Sequence, residues 1–284
     1  MTRSAMQFTF LLLFTSALFA DDWTRVSDGV DYRTFQQDSM NVHVARIDLT
    51  DDNVRVVVTP ESQRRLKVSD FAKKNKAIVA INADYFTKDF RPIGLVAGLC
   101  GTWKGTKDTS REGVIAVGDG RAKIFPQREV LEQPEAWMEA IVSGWPMIAQ
   151  NCVPFTASQL PGSDSFTRSP HPRTAVGISK DGMTMYFVVA DGRRDGVPGL
   201  TLARLARFMV EQLGVCQAMN LDGGGSSAMW LDGRIVNHPS DGFERQVANH
   251  LAVVRASDFT GCQGDPKLLE SPLHTPRGGN RQKR

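Results

Sequence analysis

The segment Asn220-Leu221-Asp222-Gly223-Gly224-Gly225-Ser226-Ser227 is the part of this chain best equipped for chemistry. Asp222 follows an apolar run, Cys216 to Leu221, that reads as a buried strand, so its carboxylate stands at a strand end. Consecutive glycines cost backbone entropy wherever they sit. They are useful where main chain must approach a ligand closely or turn several N–H groups toward an anion. Ser226 and Ser227 add hydroxyls just beyond. A glycine-rich loop alone is a weak motif, and the plain alternative is a turn capped by an aspartate.

Other segments repeat the pattern. Asn82-Ala83-Asp84-Tyr85-Phe86 follows the apolar run Ile78 to Ile81 and places an amide, a carboxylate and a phenol at a second strand end. Arg173 opens the run Arg173-Thr174-Ala175-Val176-Gly177, and Asp191-Gly192-Arg193-Arg194 closes its predicted hairpin partner. Arg173 and Asp191 therefore fall at the same end of one hairpin. Singly, each reads as a turn or a surface pair. Repeated at strand ends, they read as acids and arginines converging on one face.

The elements that must carry these residues are mostly short strands: Val42 to Leu49, Val54 to Val58, Ile78 to Ile81, Gly94 to Leu99, Val114 to Val117 and Ala122 to Phe125. Further runs are Thr174 to Ile178, Met185 to Ala190, Gln217 to Leu221, Ala228 to Leu231 and Leu251 to Val254. Asp119-Gly120, Asp181-Gly182 and Asp232-Gly233 are hairpin turns that tolerate positive φ. One helix follows Ser69 as N-cap. A second starts after Thr201, lines Leu202, Leu205, Phe208, Met209 and Leu213 along one face, and stops at Gly214. A weaker third covers Pro134 to Ile141. The predicted architecture is α+β: a single domain with a mixed, largely antiparallel sheet and a few packing helices.

A hydrophobic fraction of 41% in 284 residues is enough for a sizeable core. Arg3, the apolar run Phe8 to Phe19 and the small residues Ala17 and Ala20 have the layout of a secretory signal peptide spanning 1–20. The run is shorter than the about 20 residues a bilayer requires, so cleavage and export, to a periplasmic or secreted location, are expected. Residues 21–262 form the predicted domain, and 263–284 a basic, disordered tail. Most of the net charge of +3 lies in that tail, so the body is near neutral and does not resemble a nucleic-acid protein. Cys100, Cys152, Cys216 and Cys262 lack a CxxC pair, and export makes at least one disulfide the expectation. Four cysteines allow three pairings, and the sequence leaves them open.

The order Asn82-Ala83-Asp84-Tyr85-Phe86, Arg173-Thr174-Ala175-Val176-Gly177, Asp191-Gly192-Arg193, Asn220 to Ser227 and Arg245-Gln246-Val247-Ala248-Asn249 resembles the phosphodiester glycosidase family. The resemblance runs from about Trp23 to Asp258 and is most specific at the Asp-Gly-Gly-Gly-Ser-Ser block with its preceding helix. Family members commonly carry glycines where this chain has Ala83-Asp84. The resemblance implies hydrolysis of a sugar-1-phosphodiester at the anomeric carbon, releasing sugar and a phosphomonoester.

The residue types suit that reaction. Carboxylates stabilise a cationic glycosyl transition state, and one can act as nucleophile or base. A phosphate monoester leaves far more easily than a sugar alkoxide, so arginines that grip it matter more than a general acid. Asp222 is the central catalytic candidate, followed by Asp191 and Asp84. Arg173 and Arg193, with Arg245 behind them, are candidates for holding phosphate. Asn82, Gly223, Gly224 and Ser226 complete the substrate-binding set. No cofactor is required by this chemistry, although calcium or magnesium can bind among such acids. The five histidines show no metal spacing. Gly225-Ser226-Ser227 lacks the glycine after a nucleophile elbow, which argues against a serine hydrolase. The reading from another class is a non-catalytic carbohydrate- or envelope-polymer-binding protein on the same fold.

Overall fold

The computed structural model describes residues 22–259 except 38, 110–112 and 127. The expected signal peptide and basic tail lie outside the described residues. Strands form three sheets rather than one, and the strand pairings among the described residues are antiparallel.

The largest sheet has eight strands, in the order Thr24–Ser27, Val30–Gln37, Met40–Asp48, Thr184–Ala190, Arg173–Ile178, Gln217–Asn220, Met147–Gln150, Val153–Pro154. A five-stranded sheet runs Arg234–Ile235, Met229–Leu231, Ala77–Asn82, His250–Arg255, Val54–Val58. The third is built around Ala140–Gly144 and Gly113–Gly118. Side chains alternate across a strand, and this places Ile47, Phe187 and Val189 of the large sheet in one core with Val79, Ile81 and Leu251 of the second and Ile115 and Val142 of the third. The other face of the large sheet, with Val42, Val44, Tyr186 and Val188, is covered by the helix Leu202–Leu213.

Three α-helices are described: α1 (Val68–Lys74), α2 (Asp164–Thr167) and α3 (Leu202–Leu213). Helix α3 matches its sequence pattern. Thr201 accepts the Arg204 N–H at 3.2 Å, and Gly214 ends the helix at φ 69°. Its buried Leu202, Leu205, Phe208, Met209 and Leu213 each contribute roughly 2 kcal/mol of apolar burial.

Helix α1 starts earlier than Ser69 as cap would allow. Its N-cap is Lys67, and the Glu244 carboxylate, 175 residues away in the chain, takes the Ser69 N–H at 2.8 Å. A long-range acid thus satisfies a donor that a local cap would otherwise have to serve. The expected helix at Pro134 to Ile141 is not formed. The Glu139 N–H instead bonds the Val117 carbonyl, and Ala140–Gly144 pairs with Gly113–Gly118, so sheet pairing overrides a weak local propensity.

Cys152 and Cys216 form a disulfide, and none of the described cysteines is a free thiol. Among the described residues no helix is long and apolar enough to cross a membrane.

Candidate active site

The glycine-rich loop sits where the large sheet meets the second sheet. Arg173 pairs with Ala190 at the end of its hairpin, as the sequence pattern requires. After the Gln217–Asn220 strand the chain stays tied to both neighbours. The Leu221 N–H bonds Thr174 O at 2.8 Å, Asp222 N–H bonds Ala83 O at 2.9 Å and Gly224 N–H bonds Pro172 O at 2.9 Å.

Asn82, wholly buried, completes the seam. Its amide N–H donates to Asp222 O at 2.7 Å, and its carbonyl accepts from Thr174 Oγ1 at 2.8 Å and from Ala228 N–H at 3.2 Å. Asn82 therefore acts on the site through the backbone of Asp222. Asn82→Ala would leave the Ala228 N–H and the Asp222 carbonyl buried without partners, each worth about 1–3 kcal/mol. Urea unfolding of that variant should show a loss of roughly 4 kcal/mol, the sum of two such penalties at the middle of their range.

The glycines are demanded by close approach. A Cβ at Gly224, whose φ is +62°, would lie 3.1 Å from the Arg193 guanidinium. At Gly223 it would lie 2.9 Å from the Pro172 carbonyl. At Gly225 it would run into the Arg245–Asp241 ion pair. The loop is thus pressed against two of the predicted arginines.

Asp222 is half-buried, and burial pushes its carboxyl up to about 6; the Ser226 hydroxyl, the Arg245 charge and the Gly223 N–H only partly offset this. Ser226 Oγ is itself buried with no well-formed hydrogen bond. Tyr85 stands close enough to feel that carboxylate: burial first, then Asp222, raise its phenol, against the opposing charge of Arg173. Tyr85 Oη donates to Trp145 O at 3.2 Å and accepts from Asn220 Nδ2 at 2.6 Å.

Arg173 is only 2% exposed. Its Nε donates to Leu200 O at 3.0 Å and its Nη2 to Phe166 O at 2.6 Å, with the guanidinium 5.3 Å from the Phe166 ring centre. Burial lowers it to about 10, with Tyr85 opposing and the nearby Arg193 charge adding to the shift. Arg193 is exposed, in left-handed backbone at φ 57°, with Nη2 at 3.3 Å from His171 Nδ1. Arg245 binds Asp241 through Nε at 3.0 Å and Nη2 at 2.7 Å. Asp222, Tyr85, Arg173, Arg193 and Arg245 are therefore linked by charge interactions around one loop.

Asp84 and Asp191 are differently employed. Asp84 accepts from Ser143 N–H at 2.9 Å and Asn249 Nδ2 at 2.6 Å, and so joins the second and third sheets behind the loop. Asp191 accepts from Asn41 Nδ2 at 2.6 Å and His238 N–H at 2.8 Å. Burial alone would raise Asp191, but His43, the His238 N–H and Asn41 together hold it below the usual carboxylate range. Among the described residues no three His, Cys, Asp or Glu side chains converge as a metal site requires.

The sequence reading did not select Tyr85 or Asn220 as site residues, although both stand inside the quoted motifs. It did not pair Asp191 with Asn41 and His43, and no local signal could have done so across about 150 residues of chain.

A family model described as phosphodiester glycosidase matches residues 75–254. The SPbeta prophage-derived uncharacterized protein YomE of Bacillus subtilis (strain 168) is 30% identical over 203 residues, covering 69% of this chain and 31% of its own. The N-acetylglucosamine-1-phosphodiester alpha-N-acetylglucosaminidase of Mus musculus is 29% identical over 200 residues, covering 63% of this chain and 36% of its own. The chain thus spans about a third of the length of these relatives. The catalytic domain of the zebrafish enzyme of that name has the same fold, with a TM-score of 0.60 at 20% identity over 79% of this chain and 81% of that one.

Proposed function

The chain belongs to the phosphodiester glycosidase family, and from that premise we propose that it hydrolyses the glycosidic bond of a sugar-1-phosphodiester, releasing sugar and a phosphomonoester. The observation that carries this is Asp222: a carboxyl pushed up to about 6, on a glycine loop flanked by Arg173, Arg193 and Arg245. In its ionised form Asp222 serves the anomeric carbon as nucleophile or base. Arg193 and Arg245 draw the leaving phosphate, and the buried Arg173 adds a fixed positive charge. Ser226 offers its hydroxyl beside the reacting oxygen atoms, and Tyr85 braces the site through Trp145 and Asn220. Asn82, Asp84 and Asp191 keep the loop in place, Asp191 from the far side of the Arg173 strand.

We further place the protein outside the cytoplasm, a reading supported by the Cys152–Cys216 disulfide. Its partner is a sugar-phosphate or glycopolymer rather than nucleic acid, and the reaction needs no cofactor. Purified protein should release phosphomonoester from a sugar-1-phosphodiester with or without a chelator of calcium and magnesium. Because the ionised carboxylate is the working form, kcat/KM should fall about tenfold per pH unit below about 6, the value at which Asp222 protonates. A limb that rises on acidification would make Asp222 a general acid instead. A folded protein with no release from any such diester would favour the binding-protein reading.

A further inference from the structure

A polar cleft of about 620 Å³ opens between the Val30–Gln37 strand and the Arg234–Ile235 hairpin. Its walls include Tyr32, Thr34, Gln36, His43 and Arg234. All but Arg234 precede residue 75, where the family match begins, so the family model does not account for it. Its inner end is His43, which leads to Asp191.

The hydrogen bonds of this cluster narrow where its protons lie. Asp191 carboxylate can only accept, so the group 2.6 Å from its Oδ2 is the Asn41 amide nitrogen. Asn41 Oδ1 accordingly faces Gln36 Nε2 at 3.2 Å. The same Asn41 nitrogen lies 3.2 Å from His43 Nε2 and donates to it in the tautomer whose proton is on Nδ1. In that tautomer His43 Nδ1 donates to Tyr32 Oη, 2.6 Å away. Thr34 Oγ1 donates to the same phenol oxygen at 2.8 Å. In the same tautomer Tyr32 accepts from both sides and offers its own O–H to the cleft. Arg234 stands exposed at the mouth and makes no ion pair with any described residue. Burial raises the Tyr32 phenol, so it stays protonated, and the Arg234 charge reaches the same group.

We infer that this cleft binds a phosphate oxyanion through the Tyr32 hydroxyl and the Arg234 guanidinium, as a subsite for a second phosphate of an extended sugar-phosphate substrate. A phenol held by the buried His43 and by Thr34, beside an exposed guanidinium, suits phosphate oxygen. The volume is that of a small-molecule site and admits a sugar-phosphate unit. The loop that follows Asp191 supplies Arg193 to the Asp222 site, while Asp191 itself backs His43, so one segment adjoins both. The assignment of the phosphate to substrate rests on the hydrolysis proposed above, whereas oxyanion binding does not.

Two arms separate these statements. Inorganic phosphate titrated into the full-length protein should shift the His43 ring resonances saturably. The shift should vanish in Tyr32→Phe and in Arg234→Gln and persist in Asp222→Asn. In hydrolysis, KM for a substrate with two phosphodiester repeats should rise about tenfold in Tyr32→Phe, the loss of one hydrogen bond to a charged group. KM for a single-repeat diester should not move. If Tyr32→Phe is poorly folded, the surface variant Arg234→Gln carries both arms. A His43 signal indifferent to phosphate overturns oxyanion binding. A phosphate-dependent shift with equal KM changes for both substrates overturns the substrate subsite and leaves free phosphate as the ligand. A wild-type protein that hydrolyses nothing overturns the proposed function, and the titration still decides the cleft.

Discussion

Asp222→Asn should lower kcat/KM by about 10³-fold, the middle of the range for a positioned acid or base, and at the same time make the protein more stable at neutral pH. The two effects have one cause. A carboxyl ordinarily at 3.8 and raised to about 6 in the fold favours folding while protonated; that contribution is complete below 3.8 and is lost as pH rises through about 6. Above that value the buried charge costs up to ~3 kcal/mol. Asparagine fills nearly the same space without the charge. Melting temperatures should therefore show the variant above wild type at pH 8 and level with it at pH 4. An active variant would remove Asp222 from catalysis. An inactive variant with lowered stability at pH 8 would show that the loss came from a damaged loop.

The second large effect is at His250, in the strand partnered with Asn82 and wholly buried. Its ring stacks on Phe71 with centroids 4.6 Å apart, and Nδ1 lies 2.8 Å from Thr59 Oγ1. Burial holds the imidazole down to about 3, with the Leu66 carbonyl opposing. A histidine depressed in the fold contributes stability above its ordinary 6.5, lost as pH falls toward about 3. Between pH 7 and 4 this amounts to ~3 kcal/mol. Over the same interval Asp222 contributes a gain of similar size, so in wild type the two nearly cancel. In Asp222→Asn the cancellation is gone. Urea midpoints of that variant should drop steeply from pH 7 to 4 while those of wild type stay nearly level. Parallel curves would show that one of the two groups is not buried as described.

The local part of this site was legible and the long-range part was not. Asp222 and the glycines declare themselves because three glycines before Ser226 have no use in ordinary strand or helix. The Arg173–Asp191 hairpin was legible from alternation and turn residues alone, and helix α3 from its apolar stripe and caps. What stayed hidden was how side chains would be spent. Asn82 reads as a substrate ligand at a strand end, yet its amide is consumed by Asp222, Thr174 and Ala228. Asp84 and Asp191 read as catalytic acids, yet their oxygens are taken by Ser143, Asn249, Asn41 and His238. Those partners lie 47 to 165 residues away, beyond any local pattern. The same distance hides Glu244, which caps α1.

The Asn82 amide also sets how the protein can move. Its three hydrogen bonds reach the large-sheet strand at Thr174, the glycine loop at Asp222 and the start of the neighbouring strand at Ala228. No small breathing motion frees the loop while leaving the sheets docked, because the same side chain closes both contacts. The loop amides are latched to Ala83, Thr174 and Pro172 and open only with the seam itself. Mobility is left to the exposed guanidinium of Arg193 and the Arg245–Asp241 pair above it. Under the proposed function, adaptation to different phosphodiesters would fall to the rim, over a floor that behaves as one cooperative unit with the core.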